Sequence, residues 1–287
     1  MAKGRELIGR IKTTENTRKI TRTMEMVAAS KMKRASDRVL AARPYAKALS
    51  EVISSLYNED LAERFPLLRQ LTSEKRAAVV LLTANRGLCG GFNANLIKEA
   101  RHTVAELEAR GVQVDLHVVG RKGIGYFRYV GRDMASQRTD ITDKPTAADA
   151  ASLVDTLMAD FISGAIDAVY VVHSQFHSVL SAPPHTDRVL PVSAPARSGA
   201  GRDYLLYPSA DAILTELLPS YVRNAVYRAL VETAAAEQAA RRTAMKSATD
   251  NAGDMLHLLR RTYNRARQAN ITQEIAEIVG GAAALQG

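Results

Sequence analysis

The sequence predicts an α/β protein. Its N- and C-terminal helices form a long antiparallel coiled coil, and a small central α/β domain with a largely parallel sheet lies between them. Three observations carry this reading. A helical pattern begins near Ser209 and meets no proline after Pro219. At 1.5 Å rise per residue such a helix is roughly 100 Å long, too long for a domain of this size to cover. A second helical pattern opens the chain. Between the two, about 77–207, the hydrophobic period changes to short apolar runs alternating with helical spacing.

The N-terminal segment, 1–57, carries a seam of apolar residues at spacings of three and four. Met32, Ala35, Val39, Ala42, Ala46, Leu49, Ile53 and Leu56 follow it without a miss. That is a heptad seam over more than three repeats, and Ala28 and Met24 extend it backwards. Pro44 lies off the seam and marks a bend or one lost hydrogen bond. Lys12 to Lys19 is almost wholly polar and faces solvent or an external partner. Asn58-Glu59-Asp60 reads as the helix stop, and 58–76 as a linker.

In the central segment Ala77 to Leu82 is a short buried strand. Phe92 to Arg110 is a helix ending at Gly111, and Val112 to Val119 is a second strand. Thr146-Ala147-Ala148-Asp149 is a capping-box pattern opening a helix to about Ser163. Asp167 to His173 is a third strand. Arg197 to Arg202, rich in Gly and Ser, reads as a loop. The C-terminal segment, 208–287, returns to helix with small seam residues: Val222, Val226, Ala229, Thr233, Ala236, Ala240, Thr243 and Ser247. A second frame runs Ala252, Met255, Leu259, Thr262, Ala266, Ala269, Gln273 and Ala276. Small seam residues bring two backbones close but bury little each, about 1 kcal/mol for an alanine methyl. Gly253 inside this helix costs about 1 kcal/mol relative to alanine.

Composition narrows the function classes. Hydrophobic residues are 46% and charged residues 24%, so the chain is of globular class. Without tryptophan and with 5% aromatics, it does not suggest aromatic nucleic-acid platforms or sugar sites. A single cysteine, Cys89, excludes an internal disulfide and fits a reducing compartment. No apolar run is long enough to span a bilayer, and no signal-peptide core is expected. The net charge is +9; residues 1–57 hold 13 Lys and Arg against 5 Asp and Glu. A basic helix points to nucleic acid, an anionic membrane surface, an acidic protein partner, or simply a solvated face.

The candidate chemistry is sparse. Thr83 to Asn93 follows the first strand and opens a helix, the position of a phosphate loop. Its glycine spacing fits neither a dinucleotide fingerprint nor a Walker loop, and a tight strand-to-helix turn explains it as well. Cys89 is a poor nucleophile candidate. The six histidines show no paired metal spacing on one helix, and Asp133, Asp140, Asp143 and Asp149 form no calcium loop. No catalytic residue, cofactor-binding residue or metal ligand is assigned. A small nucleotide-binding enzyme and a coiled-coil nucleic-acid adaptor remain as alternative readings.

Four strings in order carry a resemblance that covers essentially the whole chain. They are Ile20 to Met32 (ITRTMEMVAASKM), Arg86 to Gly91 (RGLCGG), Ala244 to Ala252 (AMKSATDNA) and Ala266 to Glu274 (ARQANITQE). The chain resembles the gamma subunits of F-type ATP synthases, the central stalks of a rotary motor, of the bacterial type. The resemblance implies a coiled coil turning inside a ring of three alpha and three beta subunits, with the α/β domain as a foot. It implies contacts to the alpha/beta hexamer at Lys19, Arg22, Met24, Arg267, Gln268 and Thr272. It implies foot contacts to the c-ring and the epsilon subunit at Tyr204, Leu206 and Tyr207. Where many bacterial relatives read Tyr-Leu-Tyr-Glu-Pro, this chain reads Tyr204-Leu205-Leu206-Tyr207-Pro208, so an acidic contact to the ring is missing or relocated. The alanine-rich tip, Ala276 to Ala284, is expected to be a smooth apolar bearing. The regulatory cysteine pair of chloroplast members is impossible with one cysteine. The resemblance further implies one copy per complex, no cofactor, no nucleic acid, and membrane contact only through partners. It places the chain at the cytoplasmic face of the bacterial inner membrane, as a non-catalytic subunit of a proton-transporting complex.

Overall fold

The structure, a computed structural model, describes residues 2–56, 64–70, 73–179, 181–193 and 209–286. In chain order the elements are α1 (Ala2–Leu56), a 3-10 turn (Pro66–Leu68), β1 (Arg76–Leu82), α2 (Phe92–Ala109), β2 (Gln113–Val119) and α3 (Arg121–Val130). There follow β3 (Ser136–Arg138), α4 (Ala147–Ser163), β4 (Ala168–Ser174), β5 (Pro184–Leu190) and α5 (Ala210–Gln286). Pro44 lies inside α1 and Pro219 inside α5, and neither ends its helix. Contacts divide the chain within both long helices, into Met1–Ala28 with Arg242–Gly287 and, separately, Ala29–Arg241.

In the unit Ala29–Arg241 five strands form one sheet in the order β3-β2-β1-β4-β5. Only β5 runs antiparallel, against β4. The central strand β1 is buried on both faces, which is why it reads as an unbroken apolar run. Its alternating side chains enter two cores. Ala78, Val80 and Leu82 join Leu157 and Phe161 of α4, Ile53 of α1 and Leu218 and Val222 of α5. Ala77, Val79 and Leu81 join Leu96, Ala100 and Val104 of α2, Phe127 of α3 and Ala235 of α5. The seam anticipated in α1 is therefore shared with the domain. Ala35 and Val39 belong to the second core, and Leu49, Ile53 and Leu56 to the first.

The Thr146 capping box forms as its sequence predicts: Asp149 N donates to Thr146 Oγ1 at 3.2 Å, and Thr146 N donates back to Asp149 Oδ2 at 2.8 Å. α3, β3 and β5 have no counterpart in the sequence reading. β3 and β5 are edge strands with burial patterns too polar to show as apolar runs. Between β2 and α3 stands Gly120, at φ 99°, where a Cβ would lie 2.1 Å from the Thr83 carbonyl oxygen. Only glycine fits so close an approach. Thr83 completes the junction: its hydroxyl donates to Val119 O at 2.8 Å and accepts from Gly123 N at 3.0 Å. The Asn58-Glu59-Asp60 stop, the Arg197–Arg202 loop, and Tyr204, Leu206 and Tyr207 lie outside the described residues.

In the unit Met1–Ala28 with Arg242–Gly287 the two helix segments are antiparallel, since Thr21 meets Thr249 and Glu15 meets Arg260. The second seam frame needs correction. The buried positions are Met245, Ala252 and Leu256, with Ala248, Thr249, Leu259, Tyr263 and Ala266 half-buried. Ala252, Leu259 and Ala266 were placed on the seam correctly. Met255 and Thr262 are exposed, because the seam passes through Leu256 and Tyr263, one residue later; Ala269, Gln273 and Ala276 are exposed because no residue after Ala266 is covered, as far as 282. Thr243 and Ser247 are exposed as well. Alanine at so many positions makes either frame look equally apolar, so small residues blur the register.

Candidate functional site

Three regions gather polar and charged side chains. The first is the surface of the two-helix unit. Lys19 and Arg22 are exposed on α1, and Arg22 pairs with Glu25 at 3.1 Å. Met24, one turn from the seam residues Thr21 and Ala28, is half-buried. Arg267, Gln268 and Thr272 are all exposed on α5. The sequence reading missed the apolar component of this surface. Ile20 and Val27 on α1 and Ile271, Ile275 and Ile278 on α5 are 46–71% exposed. Their spacings, seven residues on α1 and four then three on α5, put each set on one helix face. The signal was present as large apolar residues off the seam. Ile278 and Val279 also show that the anticipated alanine bearing carries bulkier side chains.

The second region is at the carboxyl ends of β1 and β4, where an open α/β sheet ordinarily receives its ligand. Here side chains of α5 occupy that place. Glu232 Oε2 accepts from Phe176 N at 3.2 Å and Thr233 Oγ1 accepts from Ser174 N at 3.3 Å, both beyond or at the end of β4. Arg241 donates from Nη2 to the Gly87 carbonyl at 3.2 Å, beyond the end of β1. The glycine loop thus turns its carbonyl to a cation of its own chain. Its backbone bends through Leu88 at φ 61° and Gly90 at φ 57°. Cys89 is buried; burial pushes its thiol up, and its sulfur accepts from Asn93 Nδ2 at 3.1 Å. This is a structural sulfur, not a poised nucleophile.

Four charges gather there. Glu237 Oε1 accepts from Arg241 Nη2 at 2.6 Å, with both side chains nearly buried. Lys31 of α1 donates to Asp143 Oδ2 at 2.6 Å. Burial pushes the Glu237 carboxyl up against the opposing pull of Arg241, and Asp143 and Lys31 also act on it. Burial raises Asp143 too, but the Lys31 ammonium outweighs it and holds that carboxyl below its ordinary value. Asn85 stitches the two loops together: its Nδ2 donates to Thr139 O at 3.1 Å and to Ile141 O at 2.9 Å. Removing one member of a buried pair costs about 3–5 kcal/mol, although the intact pair adds little net stability.

A third cluster joins the consecutive antiparallel strands β4 and β5. Asp187 accepts from His173 at 2.9 Å and contacts His185 at 3.0 Å. The His173 bond, ahead of burial, sets the Asp187 carboxyl below the usual range. The pairing comes from β4–β5 register, which no single-helix spacing could reveal. Among the described residues no group of three His, Cys, Asp or Glu is placed to hold a metal ion.

Two long helices continuing from an α/β domain, one of them filling the carboxyl ends of the sheet with its own side chains, define the class of fold. The ATP synthase family pattern matches residues 3–285. The chain is 69% identical, over the full length of both chains, to the ATP synthase gamma chain of Gemmatimonas aurantiaca. It is 44% identical to that of Frankia casuarinae, with 98% of this chain and 97% of the relative covered. The chain belongs to the ATP synthase gamma-chain family. Among solved structures, a chain of the Euglena gracilis mitochondrial ATP synthase (OSCP/F1/c-ring) is similar with TM-score 0.69 at 19% identity, covering 99% of this chain and 95% of that one. A chain of the Tetrahymena thermophila mitochondrial central stalk/c-ring structure reaches TM-score 0.63 at 24% identity, covering 80% and 99%. These two likenesses speak to the fold.

Proposed function

We propose that the chain is the central rotor shaft of an F-type proton-translocating ATP synthase, carrying rotation of a membrane c-ring to a catalytic alpha/beta hexamer. The observation that carries this reading is the whole-length identity of 69% to an ATP synthase gamma chain. The exposed apolar and basic faces of the two-helix unit support it, because they offer a mixed surface for a surrounding sleeve. Lys19, Arg22, Met24, Arg267, Gln268 and Thr272 are the contacts to the hexamer, and Tyr204, Leu206 and Tyr207 those to the c-ring and epsilon. The chain acts by differential binding. Each rotor angle favours one set of nucleotide states on the three catalytic sites, and without that difference no population shifts. Nucleotide chemistry belongs to the partners, so this chain is a non-catalytic subunit, one per complex. Among the described residues no helix is long and apolar enough to cross a membrane. The chain is peripheral on the cytoplasmic face of the bacterial inner membrane, held there by its partners.

Reconstitution tests the reading. Alpha, beta and epsilon subunits with the membrane sector in vesicles should pump protons on ATP addition only when this chain is present. Equal pumping without it would overturn the function.

A further inference from the structure

We infer that the charge quartet Lys31, Asp143, Glu237 and Arg241 is a registry lock that carries torque between the α/β domain and its two helices. The inference rests on the rotor reading and names the residues through which the load passes. Around the quartet α5 buries four alanines, Ala234, Ala235, Ala236 and Ala239, each 6% exposed or less, beside the polar Glu232, Thr233 and Gln238. Alanine methyls adhere through burial, which is non-directional, and offer few protrusions to interdigitate. Resistance to slip at this level has to come from directional bonds.

The quartet supplies them toward the Gly87 and Asp143 loops, as Glu232 and Thr233 do at the end of β4. Glu237 and Arg241, one turn apart on α5, orient the guanidinium so that it also reaches Gly87 O. Lys31 ties α1 to the loop that carries Asp143. Each long helix is thereby bonded to a different loop of the domain, and Asn85 bonds those loops to each other. Two further cations face the same loops. Arg86 acts on Asp143, and the Lys122 side chain lies 3.4 Å from the Cβ position of Gly87. The quartet is formally neutral. Burial works against the ionised Glu237, so its contribution is geometric more than energetic. Lys31 and Arg241 stand within a turn of the points at which the chain's contacts divide.

The test uses the reconstituted complex with Arg241→Met, Arg241→Lys, Lys31→Asp, and the exchanged pair Lys31→Asp with Asp143→Lys. ATP hydrolysis without a gradient and proton pumping against a steep gradient are measured beside circular dichroism. Arg241→Met and Lys31→Asp should hydrolyse ATP within about twofold of the unsubstituted complex yet pump about tenfold less under load. Arg241→Lys, which keeps charge but loses the fork, should fall between. The exchanged pair should recover pumping. Pumping that tracks hydrolysis in every variant, or an exchanged pair no better than Lys31→Asp, would overturn the lock. The exchanged pair decides the matter even where Arg241→Met does not assemble. If the unsubstituted chain itself confers no pumping, the rotor reading fails and the lock with it.

Discussion

Replacing Leu256 by alanine should loosen the two-helix unit without loosening the α/β domain. Among its described residues this unit buries only Thr21, Ala28, Met245, Ala252 and Leu256. Two of these are alanines and one a threonine, so Leu256, 2% exposed, is a large share of the apolar burial. The substitution removes three carbons at about 0.8 kcal/mol each, or roughly 2.4 kcal/mol. Small neighbours allow partial collapse of the cavity, so a total of about 2–3 kcal/mol is expected, at the low end for buried leucines. That multiplies the local opening constant roughly 30- to 140-fold. Leu218, 1% exposed in the first core, is the control, since its opening belongs to the domain. Amide hydrogen exchange followed by peptide mass spectrometry reads both. Leu256→Ala should speed exchange in peptides from 10–28 and 242–265 and leave β1 and β4 unchanged. Equal acceleration in β1 and β4, or none anywhere, would refute the division of stability between the units.

Three further outcomes are expected. Gly120→Ala forces a Cβ to within 2.1 Å of Thr83 O at φ 99° and should destabilise the domain by about 3 kcal/mol or more, read as a lower melting temperature. Asp187 has a folded pKa below its unfolded value of about 4, so its contribution is present above that pH and lost as pH falls through the folded pKa. Asp187→Asn should therefore lose less stability than the parent between pH 7 and pH 3 in urea titrations; identical losses would contradict the His173 assignment. Lys19→Glu with Arg22→Glu should leave the helix signal intact, since both side chains are exposed. It should alter ATP turnover and coupling in the reconstituted complex, less so at high salt; unchanged kinetics at low salt would remove these residues from the interface.

β1, β4 and α4 were legible because an unbroken apolar run and a capping box are local signals. The edge strands β3 and β5 were not, because β3 is wholly polar and β5 opens on polar residues, so neither shows an apolar run. The C-terminal seam was legible in period but only partly in phase: Ala252, Leu259 and Ala266 fall on it, while Thr243, Ser247, Met255 and Thr262 do not. Alanines stand on and off the seam, and Leu256 and Tyr263 are the bulky residues that distinguish the frames. The contact residues Lys19, Arg22, Met24, Arg267, Gln268 and Thr272 came from resemblance, and geometry adds that five of the six are exposed. The quartet was invisible in sequence because Lys31, Asp143 and Glu237 meet only through tertiary structure. The glycine loop looked like a phosphate site because the same turn geometry serves both uses, and the cation that fills it, Arg241, is 154 residues from Gly87.

The central claim is that this chain turns inside a catalytic ring. Cys89 is buried, so a cysteine placed at exposed Lys98 on α2 offers a selective attachment point for an optical probe. With the alpha/beta hexamer fixed to a surface and ATP supplied, the probe is predicted to rotate continuously in one direction and to stop when ATP is withdrawn. A probe that stays fixed while the same assembly hydrolyses ATP at its full rate would contradict the account.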